Sequence, residues 1–137
     1  MEIVRHRILV PADMAKLCDL REQLSAICEQ LGIPRKTTRR MVLAIDEALS
    51  NVIEHASLKE SSKEIELSLE IADDKIVAEI VDSGIPFDPC PYNLSPDRRA
   101  YPRRGFGLYL IHMIIDQIHY ERTSDGRNVL TLTKSMD

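Results

Sequence analysis

Residues 63–82 carry the pattern that most restricts the fold, because apolar and polar residues alternate along them. In KEIELSLEIA, isoleucine and leucine occupy every second position, with glutamate or serine between them. This two-residue period predicts a strand with one buried face, as is typical of antiparallel sheets. Asp73-Asp74 predicts a turn, and KIVAEIVD predicts a returning strand that ends at Asp82. One face of this hairpin therefore needs other elements to cover it.

Two segments with helical spacing precede the hairpin and can supply that cover. After a first predicted strand, IVRHRILV, Pro11 suits the first turn of a helix that ends at Gly32. Thr37 or Thr38 can cap a second helix that runs to about Ala56. The apolar positions of the first helix are Met14, Leu17, Leu20, Leu24, Ile27 and Leu31. Those of the second are Met41, Ala44, Ile45, Ala48, Val52 and Ala56.

Residues 83–104 differ from the segments before them, since they hold five of the seven prolines. A loop of this length inside a compact domain is usually functional or mobile. A helix is predicted after it, in GFGLYLIHMIIDQI, followed by a hairpin that turns at residues 124–127. The inward positions of this helix are Leu108, Ile111, Ile115 and Ile118. The order βααββ–loop–αββ predicts one α/β (α+β) domain over residues 1–137, a two-layer sandwich whose mixed, mainly antiparallel sheet carries helices on one face.

Composition argues against several classes of function. The chain has 137 residues, a hydrophobic content of 44% and a net charge of -4, so the basic footprint of a nucleic-acid-binding protein is absent. No run approaches the ~20 apolar residues of a membrane-spanning helix, and MEIVRHRILV lacks the features of a signal peptide. Three widely spaced cysteines form neither a disulfide framework nor a zinc pattern. We therefore expect a cytoplasmic protein that contacts neither nucleic acid nor membrane.

The second predicted helix places polar residues beside its apolar stripe, in IDEALSNVIEHA. Glu47, Asn51 and His55 follow one another at four-residue steps, so they project from one face. A solvated face explains Glu54 well but Asn51 less well, because asparagine is a mediocre helix former. Asn51 is therefore either a hydrogen-bonded residue at the edge of the core or part of a binding face.

A second polar motif, VDSGIPFDP, lies where the returning strand ends. An aspartate such as Asp82 can accept a hydrogen bond from an exocyclic amine, and Gly84 lets a flat ring approach the backbone. The same D-S-G sequence also forms ordinary Asx turns. The motif taken alone leaves both interpretations open.

A third motif, RRGFGL, joins the proline-rich loop to the last predicted helix. Free backbone amides at a helix N-terminus attract anions, and Gly105 and Gly107 let a phosphate approach them. Four arginines lie in or just before this motif, in a chain that is acidic overall. A glycine hinge explains G-x-G equally well, and the sequence contains neither a P-loop nor the G-x-G-x-x-G of dinucleotide sites.

Taken in order, the three motifs resemble the nucleotide-binding domain shared by gyrase, the Hsp90 chaperones, histidine kinases and MutL. Within that superfamily, DEALSNVIEHA, DSGIPFDP, RRGFGLYLI and the closing DGRNVLTLTK look most like the bacterial anti-sigma-factor serine/threonine kinases. The resemblance covers nearly the whole chain. It implies a Bergerat-type ATP-binding fold, with residues 88–104 as a lid over ATP.

The resemblance implies a role for each motif. Glu47 matches the general base, Asn51 the residue that binds Mg²⁺, and Asp82 the acceptor for the adenine amino group. The other positions that match nucleotide-contacting residues are Glu54, His55, Gly84, Pro86, Arg104, Gly105, Phe106, Gly107 and Leu108. An amide oxygen suits a hard cation that keeps several waters, and a carboxylate can orient the nucleophile in phosphoryl transfer.

The chain departs from the superfamily pattern at two places. Pro86 stands where the second glycine of D-x-G-x-G is common, which stiffens the backbone on the adenine side. Arg127 follows Gly126 where many relatives carry a threonine that contacts adenine. Thr131 or Thr133 is the candidate substitute for that contact.

The implied function is an ATP-dependent protein serine/threonine kinase that acts as an anti-sigma factor. It would phosphorylate an anti-sigma-factor antagonist in a partner-switching system, with ATP and Mg²⁺ as cofactors. Its partners would be a sigma factor and the antagonist, and a homodimer is plausible by the same resemblance. The alternative is a nucleotide-dependent binding module that sequesters a partner with little or no kinase activity.

Overall fold

The computed structural model of the chain describes residues 4–57, 65–84, 86 and 110–136. Its strands are β1 (Val4–Val10), β2 (Ile65–Ala72), β3 (Lys75–Asp82), β4 (Gln117–Arg122) and β5 (Asn128–Ser135). They form one sheet in the order β1-β2-β3-β5-β4, and each neighbouring pair is antiparallel. The predicted α/β (α+β) class is thus confirmed, and no parallel pair occurs among the described strands.

The predicted alternation along the β2–β3 hairpin is confirmed. Ile65, Leu67 and Leu69 of β2 are at most 2% exposed, while the residues between them are half-buried. Asp73 takes a positive φ of 57° in the turn between the strands, a conformation that aspartate tolerates better than most residues. One face of the sheet is therefore apolar.

Two helices, α1 (Leu17–Gln30) and α2 (Arg35–Ser57), contribute buried side chains to one core with the sheet. Those of α2 are Met41, Val42, Ala44, Ile45, Ala48, Leu49 and Ile53. Val52 lies at the edge of this row and is half-buried. Among the described residues, no helix combines the length and the apolar run that crossing a lipid bilayer requires.

The start of α1 differs from the prediction. A 3-10 turn at Met14–Lys16 comes first, and the Asp13 carboxylate caps it by accepting a hydrogen bond from the Ala15 amide at 3.0 Å. Pro11 therefore lies before the helix rather than in its first turn. Met14 is 48% exposed, because it belongs to this turn and not to the buried row of α1.

Gly32 stops α1 as predicted, through a Schellman motif. Its φ of 75° lies in the left-handed region, where glycine has no Cβ to clash. The Gly32 amide donates to the Glu29 carbonyl and the Ile33 amide donates to the Cys28 carbonyl, both at 3.1 Å. These two bonds satisfy carbonyls that the end of the helix would otherwise leave open.

The start of α2 precedes both threonines that the sequence suggests as caps. The helix begins at Arg35, and the Thr38 amide already donates to the Pro34 carbonyl at 2.9 Å. Thr37 and Thr38 are buried inside the helix, so the predicted cap is wrong. Pro34 marks the boundary because it has no amide hydrogen to donate.

The helix after the loop ends earlier than predicted. Residues 110–114 are helical, and Ile111 is buried as expected. The Asp116 amide then donates to the Thr133 carbonyl of β5 at 3.0 Å, so the chain has already joined the sheet. Ile118 consequently lies in β4 and not in the helix.

Candidate functional site

The C-terminal half of α2 carries three polar residues that we call the acidic face: Glu47, Asn51 and Glu54. Glu47 and Asn51 are one turn apart; Asn51 is only 7% exposed, whereas Glu47 and Glu54 are half-buried. Burial, and after it the charges of Asp46 and Glu54, raises the pKa of Glu47 above its ordinary value. A carboxylate with a raised pKa binds a proton more tightly, which suits a general base.

Asp46 precedes Glu47 in the sequence but has different surroundings. Its Oδ2 accepts a hydrogen bond from Arg21 Nη1 of α1 at 3.2 Å, and its backbone carbonyl accepts one from the Ser50 hydroxyl at 2.9 Å. This ion pair ties α2 to α1. Among the described residues Glu47 forms no ion pair, so of the two carboxylates Glu47 is the better suited to chemistry.

The second motif places Asp82 at the end of β3. Its Oδ1 accepts a hydrogen bond from the Gly84 amide at 2.8 Å and another from Asn128 Nδ2 at 3.0 Å. The first of these bonds is the Asx turn that D-S-G allows. Within the described residues both donors meet Oδ1, which leaves Oδ2 able to accept from a ligand. The turn and a binding role for Asp82 are therefore compatible.

Asp82 is one end of a polar row that crosses three strands: Asp82, Asn128 and Arg122. In the pairing register, Asn128 of β5 faces Asp82 of β3 on one side and Arg122 of β4 on the other. Asn128 is 4% exposed, and its Oδ1 accepts from Arg122 Nη1 at 3.0 Å and from the Tyr120 hydroxyl at 2.5 Å. Arg122 Nη1 also donates to the Gly84 carbonyl at 2.8 Å. Hydrogen bonds thus link the Asp82 turn to both strands of the closing hairpin.

The polar row lies one step beyond the hydrophobic core. The preceding inward pair of β3 and β5 is Ile80 and Leu130, and both residues are buried. The next inward pair is Asp82 and Asn128. The inward face of the sheet therefore changes from apolar to polar between two successive residue pairs, at the end where β3 stops.

Two threonines of β5, Thr131 and Thr133, are the substitutes that the sequence suggests for the missing adenine contact. Successive residues of a strand point to opposite faces, and the burial pattern of β5 puts Asn128 inward and both threonines outward. Neither threonine therefore lies on the face that carries Asp82, and Asn128 is the β5 residue that meets Asp82. The missing signal was the register between β3 and β5, which the motifs themselves do not contain.

Gly84 has a steric role in this turn. A Cβ added to it would stand 3.1 Å from Asp82 Oδ1, closer than ordinary van der Waals contact. A side chain there would therefore displace the carboxylate. Pro86, two residues further on, is exposed.

Part of the predicted site lies outside the described residues: the lid at 88–104, the segment 104–108 and the side chain of His55. The structure brings Glu47, Asn51 and Glu54 onto one face of α2, and it joins Asp82 to Gly84. The roles that the sequence suggests for the lid and the glycine-rich segment remain predictions.

The donor chemistry of the acidic face fits Mg²⁺ better than a softer metal. Within the described residues no group of three His, Cys, Asp or Glu side chains could hold a metal ion. Mg²⁺ commonly takes one or two protein oxygens and completes its shell with water and phosphate. Asn51, which offers a neutral oxygen between two glutamates one turn or less away, matches that mode.

Comparison with known families decides the class of the chain. A family model described as histidine kinase-like ATPase domain matches residues 10–134, nearly the whole sequence. The chain belongs to this family. Two curated relatives of this ATPase, from Bacillus cereus (strain Q1) and Bacillus thuringiensis subsp. konkukian (strain 97-27), are both named serine-protein kinase RsbW. Each is 28% identical over 128 residues, which cover 88% of this chain and 79% of the relative.

Solved structures confirm the fold of this ATPase domain. The structure of the RsbU and RsbW domains of a Mycobacterium tuberculosis protein matches with a TM-score of 0.71 at 20% identity, over 96% of this chain and 32% of that longer one. The SiaB–SiaC complex of Pseudomonas aeruginosa matches with a TM-score of 0.71 at 12% identity, over 94% and 88% of the two chains. At these identities the likeness is one of fold.

Proposed function

We propose that the chain is an ATP-dependent protein serine/threonine kinase that acts as an anti-sigma factor. The observation that carries the proposal is Glu47, a half-buried carboxylate of raised pKa one turn from Asn51. Membership of the ATPase family supports the use of ATP, and the relatives named serine-protein kinases support transfer to a protein hydroxyl.

In this proposal Glu47 acts as the general base. The hydroxyl oxygen of a serine or threonine on the substrate protein bonds to the γ-phosphorus, its proton passes to the Glu47 carboxylate, and ADP departs. The oxygen of Asn51 is the proposed protein ligand of Mg²⁺, which when bound neutralises phosphate charge. Glu54 and His55 are proposed to contact the phosphates or the sugar.

The nucleotide base is proposed to bind at the end of β3. A carboxylate oxygen of Asp82 accepts a hydrogen bond from the adenine amino group. Gly84 leaves that carboxylate in place because it has no Cβ to displace it. The amides of the segment 104–108 and the arginines of the lid at 88–104 are proposed to hold the phosphates, as the start of a helix attracts anions.

The proposed substrate is an anti-sigma-factor antagonist, and the proposed second partner is a sigma factor. Among the structural neighbours, SiaB was solved in a complex with SiaC, which gives a precedent for a protein partner on this fold. The antagonist to try first is the product of a gene beside the one for this chain.

Calorimetry and labelling test the proposal in two stages. Titration with ATP or ADP in the presence of Mg²⁺ should give saturable heat at no more than millimolar nucleotide. Labelled ATP should then mark a serine or threonine of the antagonist protein. Glu47→Ala should abolish this labelling while it keeps nucleotide binding.

Each stage has an outcome that counts against the proposal. If neither nucleotide binds, the ATP site itself is wrong. If nucleotide binds but the antagonist stays unlabelled, the chain is a nucleotide-dependent binding module. If labelling survives Glu47→Ala, Glu47 is not the base.

A further inference from the structure

We propose that Asn128, held by Tyr120 and Arg122, is a positioning residue that orients Asp82 and thereby selects 6-amino purines over 6-oxo purines. The inference deepens the proposed function, on which it rests, because it concerns how the same site recognises its nucleotide. Three observations carry it: the orientation of the Asn128 amide, the asymmetric bonding of Asp82, and the burial of Asn128.

The orientation of the Asn128 amide is fixed by its neighbours. A guanidinium can only donate hydrogen bonds, so the amide atom facing Arg122 at 3.0 Å is the oxygen. An ionised carboxylate can only accept them, so the atom facing Asp82 at 3.0 Å is the nitrogen. The Gly84 carbonyl, 3.3 Å from Asn128 Nδ2, is a second acceptor on that side. Turning the amide over would oppose like groups at each of these contacts.

This fixed amide gives the two oxygens of Asp82 different roles. Oδ1 accepts from Asn128 Nδ2 and from the Gly84 amide, and within the described residues Oδ2 accepts from neither. The oxygen assigned to the base is therefore Oδ2, an acceptor without a hydrogen of its own. A 6-amino group can donate to it, whereas a 6-oxo group brings a second lone pair and is repelled.

The same geometry predicts the behaviour of Asp82→Asn. The new side-chain oxygen should take the Oδ1 position, because Asn128 Nδ2 and the Gly84 amide both donate there. The new amino group is then left at the Oδ2 position and offers a donor to the base. The variant should consequently prefer a 6-oxo purine, and this preference should be strongest while Asn128 supplies the second of the two donors.

The experiment compares ATP with inosine triphosphate, in which the 6-amino group is replaced by a 6-oxo group. Calorimetry with Mg²⁺ gives both dissociation constants for wild type, Asn128→Ala, Asp82→Asn and the double variant. Thr131→Val is the matched control, since it alters the same strand on the outward face. Circular dichroism and thermal unfolding establish that each variant is folded.

The expected result is a change in the ratio of the two dissociation constants, for inosine triphosphate and for ATP, and not only a loss of affinity for both. Wild type should prefer ATP by at least about tenfold, the effect of about one hydrogen bond to a charged group. Asn128→Ala should reduce this preference at least about threefold, and Asp82→Asn should reverse it. The double variant should prefer the 6-oxo purine less than Asp82→Asn does, because only the Gly84 amide then orients the side chain, and Thr131→Val should match wild type. Tyr120→Phe removes one donor to Asn128 and should reduce the preference less than Asn128→Ala does; it decides the question if Asn128→Ala fails to fold.

A purely structural Asn128 gives a different pattern. The affinities for ATP and for inosine triphosphate would then fall by the same factor in Asn128→Ala. The double variant would have the same ratio of the two dissociation constants as Asp82→Asn. Either result overturns the inference but leaves the proposed function standing. An unchanged ratio in Tyr120→Phe, where Asn128→Ala does not fold, also counts against it. If wild type binds neither nucleotide, the proposed function fails as well.

Discussion

The acidic face of α2 and the polar row at the end of β3 are two polar regions built in different ways. The acidic face is local, since Glu47, Asn51 and Glu54 come from two turns of one helix. The polar row is assembled from three strands, with Asp82 and Asn128 46 positions apart in the chain. The first region therefore depends on helix geometry alone, whereas the second depends on the pairing of the whole sheet.

This difference separates chemistry from recognition. The acidic face holds a carboxylate whose pKa is raised by burial and by neighbouring charge, the property that a proton acceptor needs. The polar row holds a carboxylate fixed by two donors, the property that a selective acceptor needs. We therefore expect substitutions in the first region to change rate and substitutions in the second to change binding.

The largest effect is expected from Glu47→Gln. The substitution keeps the shape of the side chain but removes its ability to take a proton, so phosphotransfer to the antagonist should fall by about 10²–10⁴-fold. The affinity for ATP, which we propose to depend on the polar row, should stay close to the wild-type value. Initial rates of labelling and calorimetry in the same buffer check both parts.

The pH dependence of the rate sharpens this prediction. Because the pKa of Glu47 is raised, its base form is lost at a higher pH than that of an ordinary glutamate. As pH falls through this raised pKa, the wild-type rate should drop about tenfold per pH unit. The residual rate of Glu47→Gln should show no such drop. A wild-type rate that stays flat down to pH 4.5, the ordinary glutamate value, would remove Glu47 from the mechanism.

The next effect contrasts two glycines. Gly84→Ala should weaken ATP binding about tenfold, or about 1.4 kcal/mol, because the new Cβ would stand 3.1 Å from Asp82 Oδ1 and displace it. Gly32→Ala should instead lower the free energy of unfolding by about 1–2 kcal/mol, because its φ of 75° strains any other residue.

Each glycine variant is the control for the other. Calorimetry should show a normal ATP affinity for Gly32→Ala, and urea unfolding should show a smaller loss of stability for Gly84→Ala. If Gly84→Ala binds ATP as wild type does, the position of Asp82 Oδ1 is not critical. Gly84 would then have no separate role in ATP binding to set against the role of Gly32 in stability.

The smallest effect concerns stability. The folded-state pKa of Glu47 lies above its unfolded value, so the folded state binds the proton more tightly and stability decreases as pH rises through that window. Below the unfolded pKa this loss is absent, and above the folded pKa it is complete. Glu47→Gln should therefore raise Tm relative to wild type more at pH 7 than at pH 4, by no more than about 3 °C.

Differential scanning calorimetry at the two pH values measures this effect. Glu22→Gln, on the exposed side of α1, serves as the control for removing one negative charge. Equal Tm differences at both pH values would show that Glu47 gains no proton affinity on folding. If Glu47→Gln is more stable than wild type but inactive, the Glu47 carboxylate lowers the stability of the domain and is required for phosphotransfer.

Local patterns in the sequence predicted most of the fold. The alternation in β2 and β3, the turn at Asp73 and the stop at Gly32 all follow from the residues at those positions. The errors lie at helix ends. Pro11, Thr37 and Ile118 suit the roles predicted for them, but neighbouring hydrogen bonds place the boundaries elsewhere.

Local patterns in the sequence likewise predicted one part of the candidate site and missed the other. Glu47 and Asn51 could be paired from the four-residue period of a helix. Asn128 could not be joined to Asp82, because a strand register is set by the whole sheet and each candidate residue of β5 looks equally polar in the sequence. Without the register, the sequence suggests Thr131 as well, although this residue lies on the outward face of the sheet.

The position of the polar row one step beyond Ile80 and Leu130 has a consequence for how such a protein changes over time. Asp82 and Asn128, which are proposed to choose the base, are not members of the apolar core, so replacing them leaves the core residues themselves unchanged. Base preference can then drift or be redesigned while the domain stays folded. In a lineage of such switches, the choice of nucleotide is free to evolve separately from the scaffold that carries it.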